Sequence, residues 1–332
     1  MKFKIKLTND LILTLVLIAI LIAFGLANPD VLTVRNLFTQ VRNMMVVAII
    51  ALGMFPIYLI GGFDVSFMAN ALFAQYLFLN ATQYWGMEWM GVVGGFIFVF
   101  LFGMLVGLFN AFVITKYNFP AIIITIGVQG IIHGGMYEIL RTDYFSVFKT
   151  GIAKIGRTYL YSYKDAATGV TVAMNIMVLF WIALALFMWW FLKYTMYGRS
   201  IFAVGGNRES ASRAGISIMG ISLMVYGFFN GIAAFGGLLN LGLMGVATPT
   251  GLYGTEFDVI GCIVLGGVSL GGGQGTVMGT ILGVAIMTVV KNSLLMIGVP
   301  VESQRAFTGA LMLGALGVQA YRRYRMEGVL TK

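Results

Sequence analysis

Ionisable side chains inside apolar stretches are the first residues in this sequence that could do chemistry. Asp64, Glu256 and Asp258 lie within or beside long apolar stretches, and His133 is the only histidine. Charged groups are costly inside a bilayer, so they face the interior of a helix bundle or water. Two interpretations of the three acids stay open: each caps a helix or pairs with a neighbouring backbone N–H, or each supports irregular backbone along a polar path. His133 either relays protons near neutral pH or serves packing and hydrogen bonding, and one histidine cannot build a metal site.

Uncharged polar residues in the same stretches offer hydrogen bonds. They either line a path for a hydroxylated ligand or join helices to one another within a membrane. Asn110 and Asn230 stand near Gly107 and Gly231, and we expect these two to join helices. Both roles stay open for the others in this group: Asn70, Gln75 and Gln129. The polar path predicted from all these residues consists of Asp64, Ser66, Gln75, Gln129, His133, Glu256 and Asp258.

Several kinds of catalytic or metal site have no counterpart in this sequence. The single cysteine, Cys262, excludes an intrachain disulfide and a multi-cysteine metal site. Residues 271–275, GGGQG, lack the Lys and Ser/Thr that hold phosphates and Mg²⁺ in a P-loop. Hydrolysis within a bilayer would need a carboxylate pair or a Ser/His group, and nothing in the sequence aligns Asp64 with Asp258. We therefore expect no catalytic site, no metal and no cofactor.

Composition indicates what must position these side chains. Of the 332 residues, 59% are hydrophobic and only 10% are charged, with a mean hydropathy of +0.93. Soluble proteins carry roughly 25% charged residues, so lipid must be the solvent for most of this chain. The net charge of +9 comes from basic residues dispersed at the ends of apolar segments, which is typical of membrane proteins and does not indicate nucleic-acid binding.

Ten apolar segments predict membrane spans, each of which needs about 20 residues. They predict an all-α, polytopic integral membrane protein whose residues 1–332 form a single transmembrane domain. Residues 61–64 (GGFD) break the chain between the second and third spans, and the eighth span is short and interrupted by glycines. The predicted spans are residues 10–27, 43–60, 65–82, 91–115, 120–140, 173–192, 217–241, 256–272, 275–297 and 304–321.

Basic residues predict which side of the membrane each loop occupies. An even number of spans puts both termini on one side, and the short basic termini with the basic loop at 193–213 favour the cytoplasm. Lys2, Lys4 and Lys6 precede the apolar run at 11–27, which we interpret as a retained first helix and not as a cleaved signal peptide. Residues 141–170 are then an extracytoplasmic loop.

Residues 193–216 form a hydrophilic segment with the sequence KYTMYGRSIFAVGGNRESASRAGI. Asn207 followed by Glu209 is a helix-start signal, so we expect a short polar helix on the cytoplasmic side. A plain connecting loop is the alternative.

Motifs along nearly the whole chain carry a family resemblance. The most specific is YGRSIFAVGGN at 197–207, which continues to Ala211 and to AGI at 214–216. Others are GGFDVS at 61–66, EFDVI at 256–260, LGGVSL at 265–270, GGQG at 272–275 and GT at 279–280. Together they resemble the permease subunit of ATP-binding-cassette importers, in the ribose and xylose branch of the branched-chain amino acid/ribose permease superfamily. Phe67 and Met68 depart from the Val-Gly usual in that family, and Gln129 and His133 follow its threonine-containing segment at 122–128, so the pocket and ligand can differ.

The resemblance implies a function and a set of partners. It implies import of a small sugar or sugar-like solute across the inner membrane, by two permease chains, alike or different, that form the pore. Each chain sits on a cytoplasmic ATP-binding-cassette ATPase and takes solute from an extracytoplasmic binding protein. A short helix seated in a cleft of the ATPase would transmit its closure to the spans. The residues that receive this coupling role are Gly198, Arg199, Gly205, Gly206, Asn207, Arg208, Ala211, Arg213 and Gly215.

An ion- or proton-coupled secondary carrier is the alternative function. Such a carrier needs a charged or carbonyl-lined site near the middle of the membrane. Here the acidic residues cluster near predicted helix ends and His133 stands alone, which favours the ATP-driven importer.

Overall fold

The computed structural model describes residues 8–147, 151–164, 169 and 171–330. The N-terminal lysines used to predict orientation, Lys2, Lys4 and Lys6, lie outside the described residues. So do residues 148–150, 165–168 and 170 of the predicted extracytoplasmic loop.

Helices form most of the described chain. The α-helices are α1 (Asn9–Ala27), α2 (Val34–Leu59), α3 (Phe67–Gln83), α4 (Gly91–Tyr117), α5 (Ala121–Ile139), α6 (Gly151–Arg157), α7 (Met177–Tyr194), α8 (Met196–Gly206), α9 (Arg208–Arg213), α10 (Ile218–Met244), α11 (Glu256–Leu265), α12 (Val277–Met296) and α13 (Val301–Leu330). Short 3-10 helices cover Pro29–Leu32 and Glu88–Met90. The strands are β1 (Phe145–Ser146), β2 (Tyr159–Lys164), β3 (Thr171–Asn175) and β4 (Val246–Ala247).

The predicted all-α, polytopic fold is confirmed. Within the described residues, seven helices are long and apolar enough to cross a membrane: α1, α2, α4 with the 3-10 turn before it, α5, α7, α10 and α12. The other three predicted spans also fall on helices, namely the 17-residue α3, the 10-residue α11, and α13. Two short antiparallel strand pairs are the exception to the helical pattern.

Helix boundaries differ from the prediction where polar caps or glycines intervene. The second helix begins at Val34, well before the predicted residue 43, because the Thr33 hydroxyl caps it by accepting from the Asn36 N–H at 3.3 Å. The helix α11 ends at Leu265, short of the predicted 272, because the chain turns at Gly267 with φ of 89°.

The core of the bundle lies around α2, α3 and α10. The most apolar window of α2 is 78% buried, against 11% for α1. On α4, a Cβ at Gly107 would overlap the carbonyl oxygen of Tyr226, so glycine allows α4 and α10 to approach closely. The outer helices leave large apolar side chains exposed, as lipid contact requires; examples are Ile22, Leu105, Ile126 and Leu186.

The segment between α5 and α7 folds onto one end of the bundle. Strand β1 pairs with β4, which follows α10, and strands β2 and β3 form an antiparallel hairpin. The ring of Phe38, near the start of α2, lies 5.9 Å from that of Tyr163 in the hairpin. Since α7 leads from this hairpin to α8, the β2–β3 hairpin and the 193–216 segment lie at opposite ends of the bundle.

Candidate functional site

Three glycine-containing turns meet where α2 ends, and we call residues 59–62, 205–206 and 271–273 the glycine junction. The backbone N–H of Gly273 donates to the carbonyl oxygen of Leu59 at 2.8 Å. A Cβ at Gly205 would overlap the same carbonyl oxygen, so only glycine lets α8 come this close. The end of α8, the end of α2 and the loop before α12 are therefore in direct backbone contact.

The helix α8 is fixed at both of its ends. At its start, the Thr195 hydroxyl accepts from the Gly198 N–H at 3.0 Å, and Gly198 lies against the carbonyl oxygens of Phe191 and Leu192 at the end of α7. Along its length, the apolar face is buried, with Val204 only 1% exposed. At its end it enters the glycine junction. It therefore forms a firm connection between α7 and the centre of the bundle.

The short polar helix predicted after Asn207 is present as α9. The Asn207 side chain accepts from the Ser210 N–H at 2.8 Å, which caps the helix start. Ala211 is buried, and Gly215, with φ of 83°, turns the chain toward α10. All five charged side chains of the 193–216 segment are exposed: Lys193, Arg199, Arg208, Glu209 and Arg213. The sequence predicts one helix here; α8 does not stand out in it, because the apolar residues of α8 extend the pattern of the preceding span.

Asp64 is completely buried at the centre of a hydrogen-bonded cluster. The N–H and hydroxyl of Ser66 both donate to its Oδ1 at 2.7 Å, and the Asn230 amide donates to Oδ2 at 2.8 Å. The Asn110 amide donates to Ser66 Oγ at 2.9 Å. The helix-joining role predicted for Asn110 and Asn230 is confirmed. Asp64 therefore pairs with the backbone N–H of Ser66, the residue before α3, while no side chain among the described residues caps that helix; we call these four residues the Asp64 cluster.

Two tyrosines hold the irregular backbone beside this cluster. The Tyr58 hydroxyl donates to the carbonyl oxygen of Asp64 at 2.9 Å, and the Phe63 N–H donates to the Tyr226 hydroxyl oxygen at 3.1 Å. Neither tyrosine was predicted from the sequence, because a tyrosine inside an apolar run resembles any other core aromatic residue.

Polar residues further along α3 also bind α10. The Asn70 amide lies 3.4 Å from the carbonyl oxygen of Asn230, and the Gln75 amide donates to the carbonyl oxygen of Gly237 at 3.0 Å. Gln75 is 2% exposed. These contacts favour the helix-joining role that the sequence left open for both residues.

Three residues of the predicted path meet between α5 and the start of α11. The Gln129 amide donates to Glu256 Oε1 at 3.0 Å, and Glu256 is only 6% exposed. The His133 ring stacks on that of Tyr253 at 4.5 Å. Within the described residues, Glu256 Oε2 and His133 Nε2 are buried without a hydrogen-bond partner.

Asp258 lies apart from Glu256 although both belong to the first turn of α11. Its Oδ2 accepts from the Lys291 ammonium of α12 at 2.6 Å, and both side chains are about one third exposed. Lys291 was missed, although a lysine inside the predicted span at 275–297 is a signal in its own right, since a charge there needs a partner or water.

A bundle of apolar helices with an internal polar network and a charged segment fixed at one end defines a multi-pass membrane protein. Sequence comparison identifies the family: residues 36–316 match the one described as branched-chain amino acid transport system / permease component. The chain belongs to this permease family. The prediction of a transport permease is thereby confirmed.

Curated relatives align over almost their whole length. The galactose/methyl galactoside import permease protein of Escherichia coli (strain K12) is 30% identical, over 95% of this chain and 94% of the relative. The ribose import permease protein of the same strain is 29% identical, over 93% and 92%. The L-arabinose ABC transporter permease protein of Azospirillum brasilense is 26% identical, over 96% and 89%. No solved structure matches the chain.

Proposed function

We propose that this permease imports a small sugar or sugar-like solute across the inner membrane, driven by a separate ATPase. It takes solute from an extracytoplasmic binding protein and pairs with a second permease chain. The solute class is supported by the relatives, because the three described above are named for galactose, ribose and L-arabinose transport.

The proposed route by which ATPase movement reaches the membrane helices depends on the contact between Gly205 and Leu59. The exposed helix α9 is the part of the 193–216 segment that an ATPase can grip. It follows α8 directly, and α8 ends in the glycine junction. A displacement of α9 is therefore passed, through backbone contacts that have little room to yield, to the end of α2 and the loop before α12.

The same segment supports the proposed orientation. Its exposed basic residues, Lys193, Arg199, Arg208 and Arg213, outnumber the single acid Glu209. Basic loops are retained in the cytoplasm, so α8 and α9 lie on the cytoplasmic side together with both chain termini. The β2–β3 hairpin is then extracytoplasmic, at the end of the bundle where a binding protein docks.

Charge reversal on α9 tests the coupling role. The exposed Arg208 is replaced by glutamate, and the matched control reverses the exposed Arg157 of α6 at the opposite end of the bundle. We expect Arg208→Glu to lower the amount of ATPase that copurifies with the permease by about tenfold, because it removes attraction and adds repulsion to an acidic partner surface. Arg157→Glu should leave copurification unchanged. Equal ATPase recovery for both variants would reject the role of α9.

A further inference from the structure

A cavity opens among α2, α10, α11 and α12, away from the Asp64 cluster. Its volume is about 330 Å³. Its polar lining comes from all four helices and the turn before α11, and includes Asn43, Asn240, Thr255, Asp258, Lys291 and Asn292. None of the contacts described above for the coupling segment involves this cavity.

The cavity lies toward one end of the bundle. Asn240 is near the end of α10 and Lys291 is near the end of α12, while Asn43 lies in the first half of α2. These helix ends lie on the side where β1 pairs with β4 and where the β2–β3 hairpin meets α2. The cavity therefore lies toward the face that the proposed orientation makes extracytoplasmic.

Charge in the cavity is balanced. Lys291 and Asp258 form a 2.6 Å ion pair, so neither presents an unpaired charge to a ligand. An anionic ligand would meet the carboxylate and a cationic ligand would meet the ammonium group. The lining consequently favours a neutral ligand.

The remaining polar groups favour a ligand with many hydroxyls. Within the described residues, the amides of Asn43 and Asn240 form no hydrogen bond with the protein, while the Asn292 amide donates to Gln40 Oε1 at 2.8 Å. An amide both donates and accepts, as does a hydroxyl group, so several hydroxyls on one small molecule can be satisfied together. Asn43 is exposed and Asn240 is half-buried, so both amides can reach a solute that enters the cavity.

We propose that this cavity is a binding subsite for a neutral polyhydroxylated solute on its way through the permease. The proposal deepens the function stated above and rests on it. Most of the described lining is aliphatic, from side chains such as Val46, Ile50 and Leu243, so it offers few polar groups and no aromatic ring on which a sugar could stack. Binding is therefore weak, as passage of the solute requires.

Filling the cavity tests the proposal in the complete transporter, reconstituted with its ATPase and binding protein. Thr288 of α12 lines the cavity, and Leu295 of the same helix is exposed outside it. The variants are Thr288→Trp and, as the matched control, Leu295→Trp. Uptake of labelled galactose, ribose and L-arabinose is measured beside ATP hydrolysis stimulated by the binding protein.

We expect Thr288→Trp to lower uptake of the transported sugar by about tenfold or more while stimulated ATP hydrolysis persists, and Leu295→Trp to resemble the parent. Asn240→Leu replaces the amide by an apolar side chain with the same number of non-hydrogen atoms, and it covers the case in which the tryptophan variant fails to assemble. It should lower uptake about threefold to tenfold. Parental uptake in both Thr288→Trp and Asn240→Leu would overturn the subsite. If the parent transporter itself shows no ATP-dependent uptake of any of the three sugars, the proposed function fails and not the subsite alone.

A binding measurement separates occupancy from transport. In a Cys262→Ala background, which removes the only native cysteine, Thr288→Cys places one thiol in the cavity. The transported sugar at saturating concentration should slow alkylation of this thiol, whereas an equal concentration of a sugar that is not transported should not. Equal alkylation rates with and without the transported sugar would count against the subsite.

Discussion

Asn230 and Asp64, 166 residues apart in the chain, share a 2.8 Å hydrogen bond at a place that neither water nor lipid reaches. The bond links the irregular turn after α2 to the middle of α10. Since Ser66 and Asn110 complete the cluster, three separate parts of the bundle meet at one carboxylate. The position of the glycine junction depends on this turn being held.

Asp64→Asn should destabilise the permease by about 1–3 kcal/mol, because the new amide would point a donor at the Asn230 donor and leave its own donor without an acceptor. Thermal unfolding of the purified variant in detergent measures the effect.

A swap provides the control for this prediction. In Asp64→Asn with Asn230→Asp, the amide at 64 can still accept from Ser66 and can donate to the carboxylate at 230. We expect the double variant to recover part of the lost stability, as coupled residues do in a double-mutant cycle. Recovery is incomplete because a carboxylate at 230 cannot donate to the Tyr226 carbonyl oxygen, as the Asn230 amide does at 3.1 Å. A double variant no more stable than Asp64→Asn would show that the cluster does not act through this hydrogen bond.

Gly205→Ala should separate α8 from the end of α2, since its Cβ would overlap the Leu59 carbonyl oxygen. Overpacking of this kind costs about 1–3 kcal/mol. The neighbouring Gly206 provides the matched control, because a Cβ there meets no atom within 4 Å. The midpoint temperature of thermal unfolding, measured on the permease without its ATPase, should therefore fall for Gly205→Ala and stay at the parental value for Gly206→Ala. Equal stabilities would mean that the junction yields easily and cannot transmit motion.

Glu256→Gln tests the alternative of proton coupling. A glutamine keeps an oxygen that accepts from Gln129 and removes a buried carboxylate whose Oε2 has no partner among the described residues. We expect uptake to stay within about twofold of the parent, because ATP-driven transport needs no titrating group here. A proton-coupled carrier that uses this carboxylate would instead lose uptake, and that result would contradict our account.

Local sequence signals predicted the elements of this fold well. The apolar runs give α1 to α5, α7 and α10 to α13, because a long apolar stretch in lipid has few alternatives to a helix. The Asn207 cap likewise predicts α9 from adjacent residues alone.

Contacts between residues that are distant in the sequence were harder to predict. The triplets at 63–65 and 257–259 both read Phe-Asp-Val, yet Asp64 is fully buried among neutral donors and Asp258 pairs with a lysine at a cavity. Asp64 differs from Asp258 because α10 brings Asn230 to the first, whereas α12 brings Lys291 to the second. Which helices become neighbours is set by packing, which no local pattern encodes.

Removing each possible energy source of uptake in turn distinguishes an ATP-driven importer from a proton-coupled carrier. The permease is reconstituted into vesicles with its ATPase and binding protein, and entry of labelled sugar is followed while either ATP or the proton gradient is removed. We predict that uptake stops when ATP is depleted and continues after the gradient is collapsed. Uptake that survives ATP depletion and ends with the gradient would contradict the assignment of this chain as an ATP-driven importer subunit.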